Sequence, residues 1–146
     1  MLLHFAYAVA LIFATTFVHA GCTVAVLGWI RSFTRPHRAL RGNVTRGTVL
    51  AALVLLMSLA AFLESALWAG FYRMVGALPT LGDAFYFSLV TFTTLGYGDV
   101  TLDAEWRLLA AFEAANGIIM FGWTTALIVA VANRLFLHHQ PDARGS

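Results

Sequence analysis

Four kinds of residue in this chain could do chemistry. The densest set lies at residues 91–99, where Thr91, Thr93 and Thr94 supply hydroxyls, Gly96 and Gly98 bracket Tyr97, and Asp99 follows with a carboxylate. Glycine reaches backbone angles that residues with a Cβ adopt only at a cost, so here the backbone itself is a candidate functional surface. Gly-Tyr-Gly alone is common, and its flanks must carry the argument. The second kind is a pair of carboxylates, Glu64 and Glu113, each standing within an otherwise apolar run. The third is histidine: His4, His19, His37, His138 and His139 show no metal-ligand spacing across one site. The fourth is Cys22, the single cysteine, which excludes an intrachain disulfide or a cysteine-based metal site and is expected to be a buried, inert thiol. There is no nucleophile–base constellation, phosphate loop or metal motif, so the sequence gives enzymatic activity no support, and no cofactor is expected.

The elements that must position these residues are set by composition. Of 146 residues, 60% are hydrophobic and 11% charged, whereas a soluble domain carries about a quarter charged residues. A small core could not hide this much apolar surface, so part of the solvent must be lipid. Three apolar runs are long enough to span a bilayer at 1.5 Å per residue: residues 1–30, residues 48–72 as an outer helix, and residues 106–135 as an inner helix. Between the last two, residues 83–94 are apolar but too short to cross, which suits a re-entrant helix. Pro79, Thr80, Gly82 and Asp83 supply turn and N-cap chemistry for its start. The Gly-Tyr-Gly-Asp that follows is non-helical backbone at membrane depth, tolerated only when buried in protein or lining a water-filled cavity. A pore satisfies that condition. Residues 31–47 form an arginine-rich connector and residues 136–146 a short tail.

Orientation follows from charge. All nine basic residues are arginine, and Arg31, Arg35, Arg38, Arg41 and Arg46 crowd one connector. The connector around the re-entrant segment holds Asp83, Asp99, Asp103 and Glu105 against Arg73 and Arg107. The positive-inside rule makes the arginine connector and the carboxyl tail cytoplasmic and the amino terminus external, in a multi-pass protein of the cell membrane. The arginine connector also suits anionic lipid headgroups. The spacing of Arg31, Arg35, Arg38 and Arg41 superficially suggests a voltage-sensing helix, but Pro36 and polar neighbours argue for a solvated segment. The net charge of +2 is too small for a nucleic-acid partner. Val18-His19-Ala20 and His19-Ala20-Gly21-Cys22 faintly match processing sites. No basic residue precedes the apolar run, which continues to Ile30, so a retained helix is expected. Trp29, Trp68, Tyr72 and Trp106, near expected helix ends, fit interfacial anchors, while Trp123 is deeper.

Thr91-Phe92-Thr93-Thr94-Leu95-Gly96-Tyr97-Gly98-Asp99 resembles the potassium-channel signature, with Leu95 where valine is usual. Residues 48–135 as a whole resemble the pore module of simple bacterial potassium channels: outer helix, pore helix, filter, inner helix. The resemblance implies an all-α membrane protein with three transmembrane helices, a re-entrant pore helix and a filter, assembled as a homotetramer because each chain holds one filter copy. It implies potassium ions, and no other metal, bound by the carbonyls of Thr94, Leu95, Gly96 and Tyr97, the Thr94 hydroxyl, and a backbone shaped by Gly96 and Gly98. Tyr86 and Phe87 match the family's aromatic pair and imply a cuff around Tyr97, with Asp99 bonded to the Tyr86 hydroxyl. The inner helix aligns so that Ile118, Phe121, Thr125, Val129 and Asn133 face the cavity and inner mouth, with Gly117 at the gating hinge. Val90 departs from a glutamate found there in several members, and residues 1–30 have no counterpart in the two-helix channels.

Several readings stay open at this point. Gly117 and Gly122 also suit close helix packing. Glu64 and Glu113 are costly inside a membrane and suit either proton sensing or a structural hydrogen bond behind the pore. Potassium-selective passive conduction leads. A weakly selective cation channel, a non-conducting regulatory or assembly subunit, and a subunit of a potassium uptake system are the alternatives; the last usually carries several pore repeats per chain, against one here. The eleven or so residues after Leu135 are too few for a soluble gating domain of the usual size.

Overall fold

The computed structural model describes residues 2–33 and 42–136. Four helices follow in order: α1, Leu2–Phe33; α2, Asn43–Met74; α3, Leu81–Phe92; and α4, Arg107–Phe136. No strand occurs among the described residues. Helices α1, α2 and α4 have the length and composition to cross a membrane, whereas α3, at 12 residues, does not. The chain is therefore an all-α, multi-pass membrane protein.

The boundaries differ from expectation in instructive ways. Helix α2 begins at Asn43, so Arg46 stands on its first turn and not in a solvated connector. Helix α1 runs on to Phe33, which puts Arg31 in its last turn, where the helix dipole favours a cation. Arg35, Arg38, Arg41, His37, His138, His139 and Arg144 lie outside the described residues. Helix α3 starts two residues earlier than expected and stops at Phe92, leaving Thr93 and Thr94 to turn the chain.

Local chemistry sets the turn into α3. Gly76, at φ 74°, ends α2 in a left-handed cap: its N–H donates to Arg73 O, and the Ala77 N–H donates to Tyr72 O at 2.9 Å. Thr80 then caps α3, its hydroxyl oxygen accepting from the Asp83 N–H at 3.0 Å while the hydroxyl donates to Asp83 Oδ2 at 2.7 Å. The acid at Asp83 also suits the positive end of the helix dipole.

Helix α1 packs against both α2 and α4 of its own chain. Two apolar clusters hold the bundle. One, at the α3 end, gathers Trp68, Tyr72, Phe87, Phe92, Leu109 and Met120. The other, toward the far ends of α1, α2 and α4, gathers Val26, Ile30, Leu53, Met57, Leu127 and Val131. Trp68 and Tyr72 are fully buried in the first cluster, a correction to their expected place as interfacial anchors. Tyr72 lies in the last turn of α2 and Trp68 one turn before it, in the cluster that α3 covers. Cys22, expected to be buried, is half-buried and lines an apolar groove between α1 and α2.

The buried face of α1 is marked by polar residues. Thr15 and His19 are enclosed, on the stripe that continues through Thr23, Val26 and Ile30. Asn116 of α4 donates from Nδ2 to Thr15 Oγ1 at 2.7 Å, and His19 Nδ1 lies 2.8 Å from Glu64 Oε1 of α2. In lipid, apolar side chains gain nothing by leaving their surroundings, so interhelical hydrogen bonds and close packing choose which faces meet.

Candidate functional site: the turn after the short helix

The chain leaves α3 through a backbone turn tied back onto the helix. The N–H of Thr94 donates to Thr91 O at 2.9 Å, that of Leu95 to Val90 O at 2.9 Å, and that of Gly96 to Val90 O at 3.1 Å. Thr93 Oγ1 donates to Leu89 O at 2.6 Å. The N–H groups at the start of this segment are thus taken up by the last carbonyls of α3. The carbonyls of Thr94, Leu95, Gly96 and Tyr97 accept no hydrogen bond among the described residues. Residues 93–99 are all exposed in the single chain.

Handedness alternates along the same stretch. Thr94, Gly96 and Gly98 take φ of 62°, 56° and 78°, with Leu95 and Tyr97 between them at negative φ. A positive φ is free for glycine but strained for a β-branched residue, at a cost of roughly 1–3 kcal/mol. Thr94 is the one non-glycine residue described in that region.

The far end is anchored by a side chain of α3. Tyr86 donates its hydroxyl to Asp99 Oδ2 at 2.6 Å. That bond holds the Asp99 carboxyl below the usual carboxylate range; desolvation opposes it, and the backbone N–H groups of Asp99 and Val100 add to it. Phe87, expected beside Tyr97, packs elsewhere within the chain: it is buried against Tyr72, with ring centroids 5.5 Å apart. Adjacent helical residues point about 100° apart, so Tyr86 and Phe87 divide between the turn and the core.

Helix α4 supports the turn from beneath. Gly117 is buried, and a Cβ there would overlap the carbonyl of Phe92, the last residue of α3. The helix passes through Gly117 without interruption, and the missing side chain is what admits the end of α3. Phe92 also meets Phe121 edge-on at 6.0 Å. Ile118, Phe121, Thr125, Val129 and Asn133 are exposed along one face of α4, with Thr125 bonded to its own helix at Phe121 O. The opposite face carries Glu113, Asn116, Met120, Leu127 and Val131, all buried against the other helices.

A model of the ion-channel family matches residues 48–134, well over half of the chain and the span from α2 to the end of α4. The chain belongs to the ion-channel family. No curated protein and no solved structure matches it. The matched span omits the whole of α1, so the channel module is α2, α3, the turn and α4, with α1 packed onto it.

Both carboxylates of the channel's interior are hydrogen-bonded and away from the exposed face of α4. Tyr72 donates its hydroxyl to Glu113 Oε2 at 2.9 Å. Glu113 Oε1 and the Ser88 hydroxyl of α3 are buried without a partner among the described residues. Glu64 is bonded to His19, whose other ring nitrogen lies 3.3 Å from Thr124 Oγ1 of α4. Sequence spacing gave no sign of His19, Thr15, Asn116 or Thr124 as partners, because 45 to 105 residues separate them from the groups they bond. The usable signal was that each is a polar residue within a run otherwise fit for lipid. Among the described residues no cluster of His, Cys, Asp and Glu could hold a metal ion.

Proposed function

We propose that the protein conducts potassium ions passively through a pore formed by four copies of the chain, with residues 94–98 as the selectivity filter. The observation that carries this reading is the division of the turn into two sides. The N–H groups of Thr94, Leu95 and Gly96 are bound back to α3, and four successive carbonyls, Thr94 to Tyr97, are left exposed without a protein donor among the described residues. Alternating handedness turns successive peptide planes the same way, so the carbonyls share a side in place of flipping as in a strand. Such a row replaces the water shell of a dehydrated cation only when other copies complete the ring. Helix α3 points its C-terminal, partly negative end toward the same region, which favours a cation.

The remaining roles follow from this geometry. Tyr86 and Asp99 brace the outer end of the filter, and Thr94 adds its hydroxyl at the inner end. The exposed face of α4, with Ile118, Phe121, Thr125, Val129 and Asn133, lines the cavity, and Gly117 is the point about which α4 bends on opening. The amino terminus and filter face outward from the cell membrane, and the carboxyl end faces the cytoplasm. Anionic lipid headgroups gather at the arginine-rich stretch between α1 and α2, flanked by Arg31 in the last turn of α1 and Arg46 on the first turn of α2.

The test is flux from liposomes under imposed potassium and sodium gradients, wild type beside Gly96→Asp. Potassium flux that barium blocks and that the variant lacks supports the reading. Equal sodium and potassium flux replaces it with a weakly selective cation channel. Silence from a purified tetramer under every gradient counts against conduction by this chain alone and favours a regulatory subunit.

A further inference from the structure

One pair of ionisable side chains in the bundle has no part in the filter or in the exposed face of α4. His19 and Glu64 are 1% and 0% exposed, with Nδ1 and Oε1 2.8 Å apart. Nε2 of the same imidazole faces Thr124 Oγ1 at 3.3 Å, and the Trp123 ring lies 5.2 Å away. A single side chain of α1 thereby reaches α2 through Glu64 and α4 through Thr124. The layer is closed on both sides, since the α3-end cluster finishes at Trp68 and Met120 and the far cluster begins at Val26, Ala60 and Leu127.

Around the pair, Glu64 Oε2, Thr23 Oγ1 and Trp68 Nε1 are buried without a partner among the described residues, and the remaining polar groups are engaged or stand apart. On α1, Thr15 is taken by Asn116, and Thr23 and Cys22 lie about a turn from His19. On α2, Ser65 bonds to Ala61 O. On α4, Thr124 and Trp123 face the imidazole, and the next carboxylate, Glu113, is engaged by Tyr72 roughly 16 Å further along the helix. Among the described residues no other ion pair enters the layer.

We propose that His19 and Glu64 form a proton-binding site that couples α1 and α2 to the inner helix α4 and so makes conduction depend on pH. With one proton between them, Nδ1–H donates to the Glu64 carboxylate, Nε2 accepts from the Thr124 hydroxyl, and the pair carries one negative charge. A second proton enters at Nε2. The imidazolium then donates on both sides, Thr124 becomes the acceptor and turns its own hydrogen elsewhere, and the pair is neutral. Charge and the direction of the bond to α4 change in one step. A lone charge in a low-dielectric layer is costly whereas a matched pair is tolerated, so the two states hold the three helices unequally. Histidine supplies such a change near physiological pH. The site stands on the geometry of one chain; only its effect on conduction rests on the channel reading above.

Trp123 provides a direct readout, because an imidazolium in contact with an indole quenches its emission. In the full-length protein in nanodiscs, tryptophan emission is followed between about pH 4 and 9, throughout in a Trp106→Phe background, because that indole meets His4 with ring centroids 5.0 Å apart and would report its protonation instead. The expected result is a sigmoidal loss on acidification that is absent in His19→Gln and in Trp123→Phe. In Glu64→Gln the midpoint changes, because the carboxylate that shares the proton with the imidazole is gone. Flat emission in wild type, or an unchanged midpoint in Glu64→Gln, overturns the site. Should His19→Gln fail to fold, the Trp123→Phe and Glu64→Gln titrations still decide it. Thr124→Val keeps the emission titration but loses the part of the pH dependence of potassium flux that shares its midpoint; flux that still follows the emission midpoint in this variant overturns the coupling. A flat titration in a protein that conducts potassium defeats this inference alone, and a normal titration in a protein that conducts nothing defeats only the channel reading.

Discussion

Replacing Gly117 with alanine sets a methyl group against the carbonyl of Phe92, closer than any real Cβ approaches a backbone atom. The obstacle is main chain, so no side chain can swing aside; either α4 moves away or the end of α3 does. Overpacking of this kind costs about 1–3 kcal/mol, while alanine in place of glycine returns up to about 1 kcal/mol of helix propensity. Gly122 is the internal control, since a Cβ there meets nothing within 4 Å in the chain. Gly122→Ala carries the propensity gain without the clash, so the two variants should differ in stability by about 1–3 kcal/mol. At roughly 2–4 °C per kcal/mol for a chain of this size, the gap in midpoint is several degrees. Fluorescence-detected thermal unfolding in detergent measures it. The turn hangs from the last carbonyls of α3, so the same shift should disturb Thr94 to Gly96 and reduce potassium-over-sodium preference in flux. Equal midpoints for the two variants, with selectivity intact in both, would refute the close approach of α4 to the end of α3.

Other perturbations test separate parts. Tyr86→Phe removes the bond that holds the Asp99 carboxyl low. A carboxylate with a depressed folded value contributes fully above the ordinary carboxylate range and loses its contribution as pH falls through the folded value. The variant should therefore lose potassium flux at a higher pH than wild type on acidification between about pH 6 and 3. Leu95→Val should leave selectivity unchanged, because only the carbonyl of that residue is asked to bind, and bi-ionic reversal potentials check it. Thr80→Ala removes the N-cap of α3 and should cost about 1 kcal/mol, read as a lower thermal midpoint. Asn116→Leu removes one interhelical hydrogen bond while the Thr15 hydroxyl still donates to its own helix, so it should cost about 0.5–1.5 kcal/mol and less in a Thr15→Val background; strict additivity of the two would sink the idea that they are coupled.

How much of this was legible in the sequence depends on whether the deciding interaction was local. The short helix announced itself through Thr80 and Asp83, a cap that works within one turn. The left-handed backbone at Gly96 and Gly98 is likewise written within a few residues, and the Tyr86–Asp99 bond follows from the resemblance. Trp68 and Tyr72 were misplaced because proximity to the end of a run was taken for proximity to the lipid surface, whereas α3 folds back over them. The orientation of α1 was not legible at all. In a helix apolar on every side, periodicity identifies no face, and the buried face is defined by Thr15 and His19 meeting partners far along the chain.

The order in which those partners arrive bears on how the chain enters the membrane. Glu64 comes out of synthesis after His19, so the first two helices can pair these groups as a hairpin before the rest exists. Asn116 is made about a hundred residues after Thr15, whose hydroxyl can meanwhile donate to Leu11 O and Ile12 O of its own helix, and Glu113 must find Tyr72 after a third segment has been inserted. A carboxylate at the middle of an inserting helix costs about 2.5–3.5 kcal/mol on insertion scales, and Glu113, about two turns into α4, costs part of that. The last helix should therefore depend on the earlier pair already standing in the bilayer to receive it. Nascent chains stopped before residue 107 would expose Thr15 and Tyr72 to lipid, and would be the form most readily handed to quality control.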